Sequence, residues 1–316
     1  MDCGWPFYGS PKSLQDDVDL CECFHRFDRQ LLQPVNSIPW LFSRLNIPYG
    51  RPVLSRKPWE IEAVLGLLMG LFLIFGMGGI AASALGSMRS SPKPKTIPAA
   101  ESTPSRMVPV VTPSTGSFAA FVVATVTFHG AVLLLVVHFV RQHKMGVAEA
   151  FGWRTENVAR AVGSGVTLAG VALPLAYGLQ WISIVLLRYL GRPWGYEPSV
   201  QSSVEILLHT ANWVESAYIF VFATMIAPVA EELLFRGILY PFARDRGFPR
   251  LALWGTALVF GAMHGNLAAF LPLVCFGALL AGLYEKTGNL VAPITAHALF
   301  NLIPFVFLAC GLEPSH

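Results

Sequence analysis

This chain is short of charge. Only 13% of its 316 residues are Asp, Glu, Lys or Arg, about half of what a water-soluble domain carries, while 54% are hydrophobic. That balance excludes an ordinary soluble globular class. The net charge of +3 is small and scattered, which gives no basis for a nucleic-acid partner and leaves the basic residues as markers of membrane orientation. Cysteine is scarce too. Cys3, Cys21, Cys23, Cys275 and Cys310 are odd in number and lack framework spacing, which argues against a disulfide scaffold. Cys21 and Cys23 stand near His25, but no second ligand pair follows at zinc-site spacing, so no metal is assigned there. The first 30 residues include Asp16, Asp17, Asp19 and Glu22 and hold no continuous apolar stretch. No cleavable signal peptide is therefore expected, and the first span is expected to direct insertion.

What the chain does have is long apolar runs. About 20 helical residues at ~1.5 Å each cover the ~30 Å hydrocarbon core of a bilayer. The expectation is an all-α fold: a polytopic transmembrane helix bundle with a polar intramembrane cavity, integral to the lipid bilayer. Spans are expected at 61–87, 118–140 and 161–187, with a long helical region at 203–243, two shorter spans at 250–265 and 268–285, and a last one at 289–310. The chain divides accordingly. Residues 1–57 form a polar and aromatic extension, and 58–87 contain the first span. Residues 88–117 form a Pro/Ser/Thr-rich linker with too little apolar surface to build a core, which predicts disorder. Residues 118–202 hold spans two and three, joined by "GVAEAFGWRTENVARAV", whose mixed pattern predicts an interfacial helix, and 203–310 form a core rich in buried polar residues. Arg141, Lys144, Arg154 and Arg160 follow span two, and Arg244, Arg246 and Arg250 follow the long helix, which places both regions in the cytoplasm. Arg89, Lys93, Lys95 and Arg106 in the linker weaken that asymmetry.

Charge inside the membrane costs about 2.5 to 3.5 kcal/mol per group even on the mild insertion scale, so it marks a partner or a water-filled cavity. In "APVAEELLFRGILY", Glu232 and Arg236 are four apart and share a helix face, where they can pair. Glu231 is rotated from Glu232 by about 100° and points elsewhere, which frees one carboxylate for chemistry while the other is neutralised. In "VFGAMHGN", Phe260 and His264 are four apart; in "PITAHALFNL", so are His297 and Asn301. Counted from the cytoplasmic ends at ~1.5 Å per residue, Glu231 lies about 18 Å deep, His264 about 20 Å and His297 about 13 Å. Three helices thus bring polar groups to within about one turn of a common depth.

Such a set suits hydrolysis. Glu231 would act as base on a water and then as acid toward the leaving amine, His264 or His297 would orient the water, and Asn301 would donate to the oxyanion. The same Glu231, His264 and His297 are ordinary ligands of a divalent metal such as zinc, and spacing does not separate a metal-assisted version from a metal-free one. Each island also has a plainer reading. Glu232 and Arg236 alone form a structural pair, His264 is a helix-end histidine, and His297 with Asn301 is interhelical hydrogen-bonding glue. His129, His138 and His209 sit in or near apolar segments without such partners and are read as structural or interfacial.

The order Glu-Glu-x-x-x-Arg (231 to 236), Phe-x-x-x-His (260 to 264) and His-x-x-x-Asn (297 to 301) resembles the CAAX protease and bacteriocin-processing (Abi) family, which includes the type II CAAX prenyl endopeptidases. The resemblance covers about residues 203–310. It implies a helical membrane bundle around a conical cavity. It further implies Glu231 as the glutamate that activates water, with His264, His297 and Asn301 as the other site residues and Glu232, Arg236 and Phe260 in support. The family has been described both as metalloproteases and as glutamate-dependent proteases; the lack of a His-x-x-x-His pair here favours the glutamate version. The implied partner is a membrane-associated protein or peptide, prenylated in the CAAX-processing members. The alternative is a non-catalytic scaffold or bacteriocin-immunity protein of the same fold, which would be expected to lose Glu231 or a histidine. A transporter would carry inverted repeats, and none is seen.

Overall fold

The computed structural model describes residues 54–89, 115–153, 157–195, 198 and 212–309. Most of the N-terminal extension, most of the Pro/Ser/Thr-rich linker, Cys3, Cys21, Cys23, His25, His209 and Cys310 lie outside the described residues. Among the described residues the regular structure is helical and no strand occurs. In chain order the helices are α1 (Ile61–Arg89), α2 (Thr115–Gln142), α3 (Val147–Phe151), α4 (Val158–Gly191), α5 (Trp213–Asp245), α6 (Pro249–Met263), α7 (Leu267–Thr287) and α8 (Val291–Ala309).

Among the described residues, five stretches are long and apolar enough to cross a membrane: those of α1, α2, α4, α5 and α7. The sequence suggested seven. Helix α6 has 15 residues, about 22 Å of rise, which falls short of the ~30 Å core; α8 has 19 residues, about 28 Å of rise, close to that thickness. The interfacial helix expected after span two is likewise brief. Helix α3 has five residues, with Ala148 and Glu149 exposed and Ala150 and Phe151 buried.

Helices α1 and α2 form an antiparallel hairpin. Val64, Leu67 and Leu71 are buried at helical spacing, and small residues permit close approach: a Cβ on Gly70 would meet Leu135, and one on Gly78 would lie 2.8 Å from Thr127. The opposite face of α1, with Leu65, Met69, Phe72 and Leu73, is exposed and apolar, as a lipid-facing surface requires. Helix α5 is the hub. It packs against α2 on one side and against α6, α7 and α8 on the others, while α4 closes the far side over α7 and α8. At the α4–α8 contact a Cβ on Gly165 would sit 2.5 Å from the Ala292 carbonyl oxygen.

Two π turns, Phe222–Ile226 and Phe235–Leu239, interrupt α5 on either side of the acidic pair. Each shifts the backbone register by one and releases a carbonyl. In the first, the Ala227 N–H bonds to the Phe222 oxygen, and residue 228 is a proline with no N–H to offer the Ala223 oxygen. The Asn301 amide of α8 donates to that oxygen instead, at 2.8 Å. In the second, the Gly237 oxygen accepts from the buried Trp59 indole at 3.1 Å, and Gly237 is the residue that fits, because a Cβ there would lie 2.5 Å from the Phe151 ring. The end of the N-terminal extension is thereby strapped across α5. Lys57 donates through its backbone N–H to Asp245 at 2.8 Å and through its ammonium to the Ala150 oxygen at 2.6 Å. Burial, aided by the Arg244 charge, holds the Lys57 ammonium below its usual range.

Candidate active site

The spacing of α5 sends its two adjacent carboxylates in different directions, as the 100° rotation per residue requires. Glu232 is completely buried. Its Oε1 accepts from Arg236 Nη1 at 2.7 Å and from His297 Nδ1 at 2.9 Å. Arg236, equally buried, also donates through Nη2 to the Gly277 oxygen of α7 at 2.9 Å and lies with its guanidinium carbon 4.6 Å from the centre of the Phe260 ring. A charge-assisted network of this kind neutralises the arginine and locks α5, α7 and α8 together. Phe260 fills the space between its members: its ring is 4.9 Å from His264, 5.6 Å from His297 and 5.4 Å from Phe235, centre to centre.

Glu231 faces two imidazoles. Its Oε1 lies 3.4 Å from His129 Nε2 of α2, and its Oε2 lies 3.8 Å from His297 Nε2. Its side chain is only 15% exposed, yet Oε2 is buried and has no hydrogen-bond partner. An unpartnered buried carboxylate oxygen is costly, and here it faces a basic nitrogen across a gap too long for a direct bond.

His264 caps the end of α6, with Nδ1 donating to the Phe260 oxygen at 2.8 Å. The turn to α7 is then made by Gly265 at φ +62° and by Asn266, whose side chain accepts from the Ala269 N–H at 2.9 Å. His264 is thus held at a helix end, with its ring against Phe260.

The structure joins Glu231, Glu232, Arg236, Phe260 and His297 in one contact network and sets His264 at its edge. Asn301 is placed differently: among the described residues its hydrogen bond goes to the Ala223 backbone, and none joins it to Glu231, His264 or His297. The reading of His129 as a histidine without a partner is corrected, since it is 9% exposed and touches Glu231. No local pattern in the sequence signals this, because its partner is 102 residues away. His138 is exposed and pairs with Gln142 at 2.9 Å, as an interfacial residue would. A cavity of about 850 Å³ between the start of α1 and the end of α2 is lined by Glu60, Glu62, His138, Gln142 and Lys144 and includes none of these site residues.

As for the metal that Glu231, His264 and His297 would suit, no group of three His, Cys, Asp or Glu among the described residues is arranged to hold one. His297 turns Nδ1 to Glu232 and leaves Nε2 facing Glu231 Oε2 at 3.8 Å, an arrangement that serves either a bridging water or a shared ion.

Residues 213–303 match the family described as Type II CAAX prenyl endopeptidase Rce1-like. Two Bacillus subtilis proteins are similar over the same order of length. One, named "Uncharacterized protein YpbD", is 32% identical over 100 residues, which are 30% of this chain and 47% of that protein. The other, named "Putative membrane peptidase YdiL", is 27% identical over 92 residues, 29% of this chain and 36% of that protein. The chain therefore covers less than half the length of these curated relatives. No solved structure matches it. With five membrane-competent helices and a membrane-protease family match, this is an integral, multi-pass membrane protein.

Proposed function

We propose that the chain is an intramembrane endopeptidase that hydrolyses a peptide bond at the membrane by a glutamate-activated water, with C-terminal CAAX-type sequences as its first candidate substrates. One observation carries the reading: the buried, unpartnered Oε2 of Glu231, facing the His297 imidazole inside the segment that matches the CAAX endopeptidase family.

In this reading Oε2 takes a proton from a water held between it and His297 Nε2. The hydroxide adds to the scissile carbonyl carbon, and the proton passes from Glu231 to the departing amine nitrogen. The tautomer of His297 is set from behind. Glu232, paired with Arg236, can only accept, so His297 Nδ1 carries the hydrogen and Nε2 presents its lone pair to the water. The same holds for His264, whose Nδ1 is committed to the Phe260 carbonyl. Asn301 positions α8 through Ala223 and keeps its second amide hydrogen for the oxyanion. No step runs through a metal.

The test is cleavage of a pooled set of prenylated and unprenylated peptides by the purified, detergent-solubilised protein, beside its Glu231→Gln variant. The amide is nearly isosteric but cannot take the proton, so cleavage should fall by about 10² to 10⁴ fold with the protein still folded. A fully active variant removes Glu231 from the mechanism. The pool also identifies whether a prenyl group is read. Exhaustive chelation should leave the rate unchanged; a lost rate restored by zinc would overturn the metal-free mechanism.

A further inference from the structure

Helix α2 lies outside the matched segment, yet it brings His129 to the reacting carboxylate. The ring is fixed on three sides. Its Nδ1 lies 2.9 Å from the Thr125 backbone oxygen one turn back, and Phe128 and Phe222 stand edge-on at 5.0 and 4.7 Å. Thr125 is itself tied to α5, its Oγ1 lying 2.8 Å from the Tyr218 hydroxyl.

A carbonyl oxygen can only accept, so Nδ1 of His129 carries a hydrogen, and a neutral ring would turn the lone pair of Nε2 toward Glu231. Two lone pairs cannot hold each other. The contact at Oε1 is attractive only if one proton lies between Nε2 and Oε1. The two other imidazoles near Glu231 have their Nδ1 atoms committed in the same way, His264 to a carbonyl and His297 to Glu232. Of the two Nε2 atoms that face Glu231, those of His129 and His297, only that of His129 lies within hydrogen-bond distance.

From this geometry we infer that His129 is a positioning residue of the site: through one shared proton it anchors Oε1 of Glu231, leaving Oε2 as the oxygen free to meet water. The inference rests on the reading of Glu231 as the base. It divides the labour of one carboxylate between two oxygens, and it makes α2 a required part of a site whose other members come from α5, α6 and α8. An anchored carboxylate keeps the near-attack geometry on which the rate depends, whereas a freely rotating one loses it.

Two variants test it. His129→Phe keeps an aromatic ring between Phe128 and Phe222 but removes both nitrogens; His129→Gln restores an N–H donor of similar reach. His129→Phe should lower kcat by about 10- to 100-fold with KM little changed, and His129→Gln should recover most of the loss. A His129→Phe enzyme with the wild-type kcat, beside an inactive Glu231→Gln enzyme, overturns the role of His129 and leaves the role of Glu231 standing. An active Glu231→Gln enzyme sinks the underlying reading instead. The second measurement needs no substrate. In infrared difference spectra of the full-length protein, the band lost in Glu231→Gln identifies the Glu231 carboxyl group. That band should shift in His129→Phe and return toward its wild-type position in His129→Gln; the same band in all three proteins overturns the shared proton.

Discussion

The outer helices and the hub are built on different terms. The membrane-length stretches of α1, α2 and α4 are each 22% buried inside the protein, against 56% for α5 and 72% for α7. Helix α1 is apolar all round and spends most of its side chains on lipid, so its sequence constrains little beyond length and one small-residue seam against α2. Helix α5 encloses two carboxylates and an arginine, and each finds at least one partner among protein groups. Where lipid is the solvent, the hub is where polar residues are held by named partners, and the reactive groups gather there. Helix α2 crosses that boundary: largely an outer helix, it donates one histidine to the hub.

Substitutions can sharpen or break this contrast. The largest effect on stability is expected from Arg236→Ala, which strands Glu232 in a buried pocket beside His297 and should cost about 3 to 5 kcal/mol. It should be read by thermal unfolding in detergent, and an unchanged midpoint would contradict the network. Gly165→Ala comes next. At the seam where α4 seats on α8 it forces a methyl group against the Ala292 carbonyl and Thr295 of α8, with about 1 to 3 kcal/mol of overpacking. If the variant is as stable as wild type, α4 does not seat on α8 so closely. Tyr218→Phe removes the hydroxyl contact with Thr125 that ties α5 to α2 and should cost about 0.5 to 1.5 kcal/mol; a loss several-fold larger would make the α2–α5 seam a pillar of the fold. Phe72→Ala, at a side chain 74% exposed on α1, should move stability by no more than about 0.5 kcal/mol and leave cleavage intact. A large loss there would show that α1 has a protein partner where lipid is expected.

Much of this was written in local pattern. Glu232 and Arg236 pair because residues four apart share a face, and Glu231 turns away because its neighbour is 100° off. The Phe260 to His264 and His297 to Asn301 spacings gave the right helices for the same reason. Span existence was legible from apolar length except at α6, which is apolar enough but too short for a full crossing. Asn301 shows a subtler gap. Its partner is a carbonyl released by a π turn and by Pro228, and a sequence does not announce where a helix changes register. The strap of Leu54 to Glu60 was hidden for a similar reason: Trp59 is one aromatic among several in a polar segment until Gly237 offers it a carbonyl.

By itself, then, the sequence determined a membrane-embedded helical bundle and the three helices that carry its polar islands, because helix periodicity and bilayer thickness act over a few to twenty residues. Only the tertiary structure decided what those islands face. His297 with Glu232, Asn301 with Ala223 and His129 with Glu231 are joined across 65, 78 and 102 residues. Contacts at such separations are set by how whole helices pack, through small-residue seams and released carbonyls, and no local periodicity encodes them.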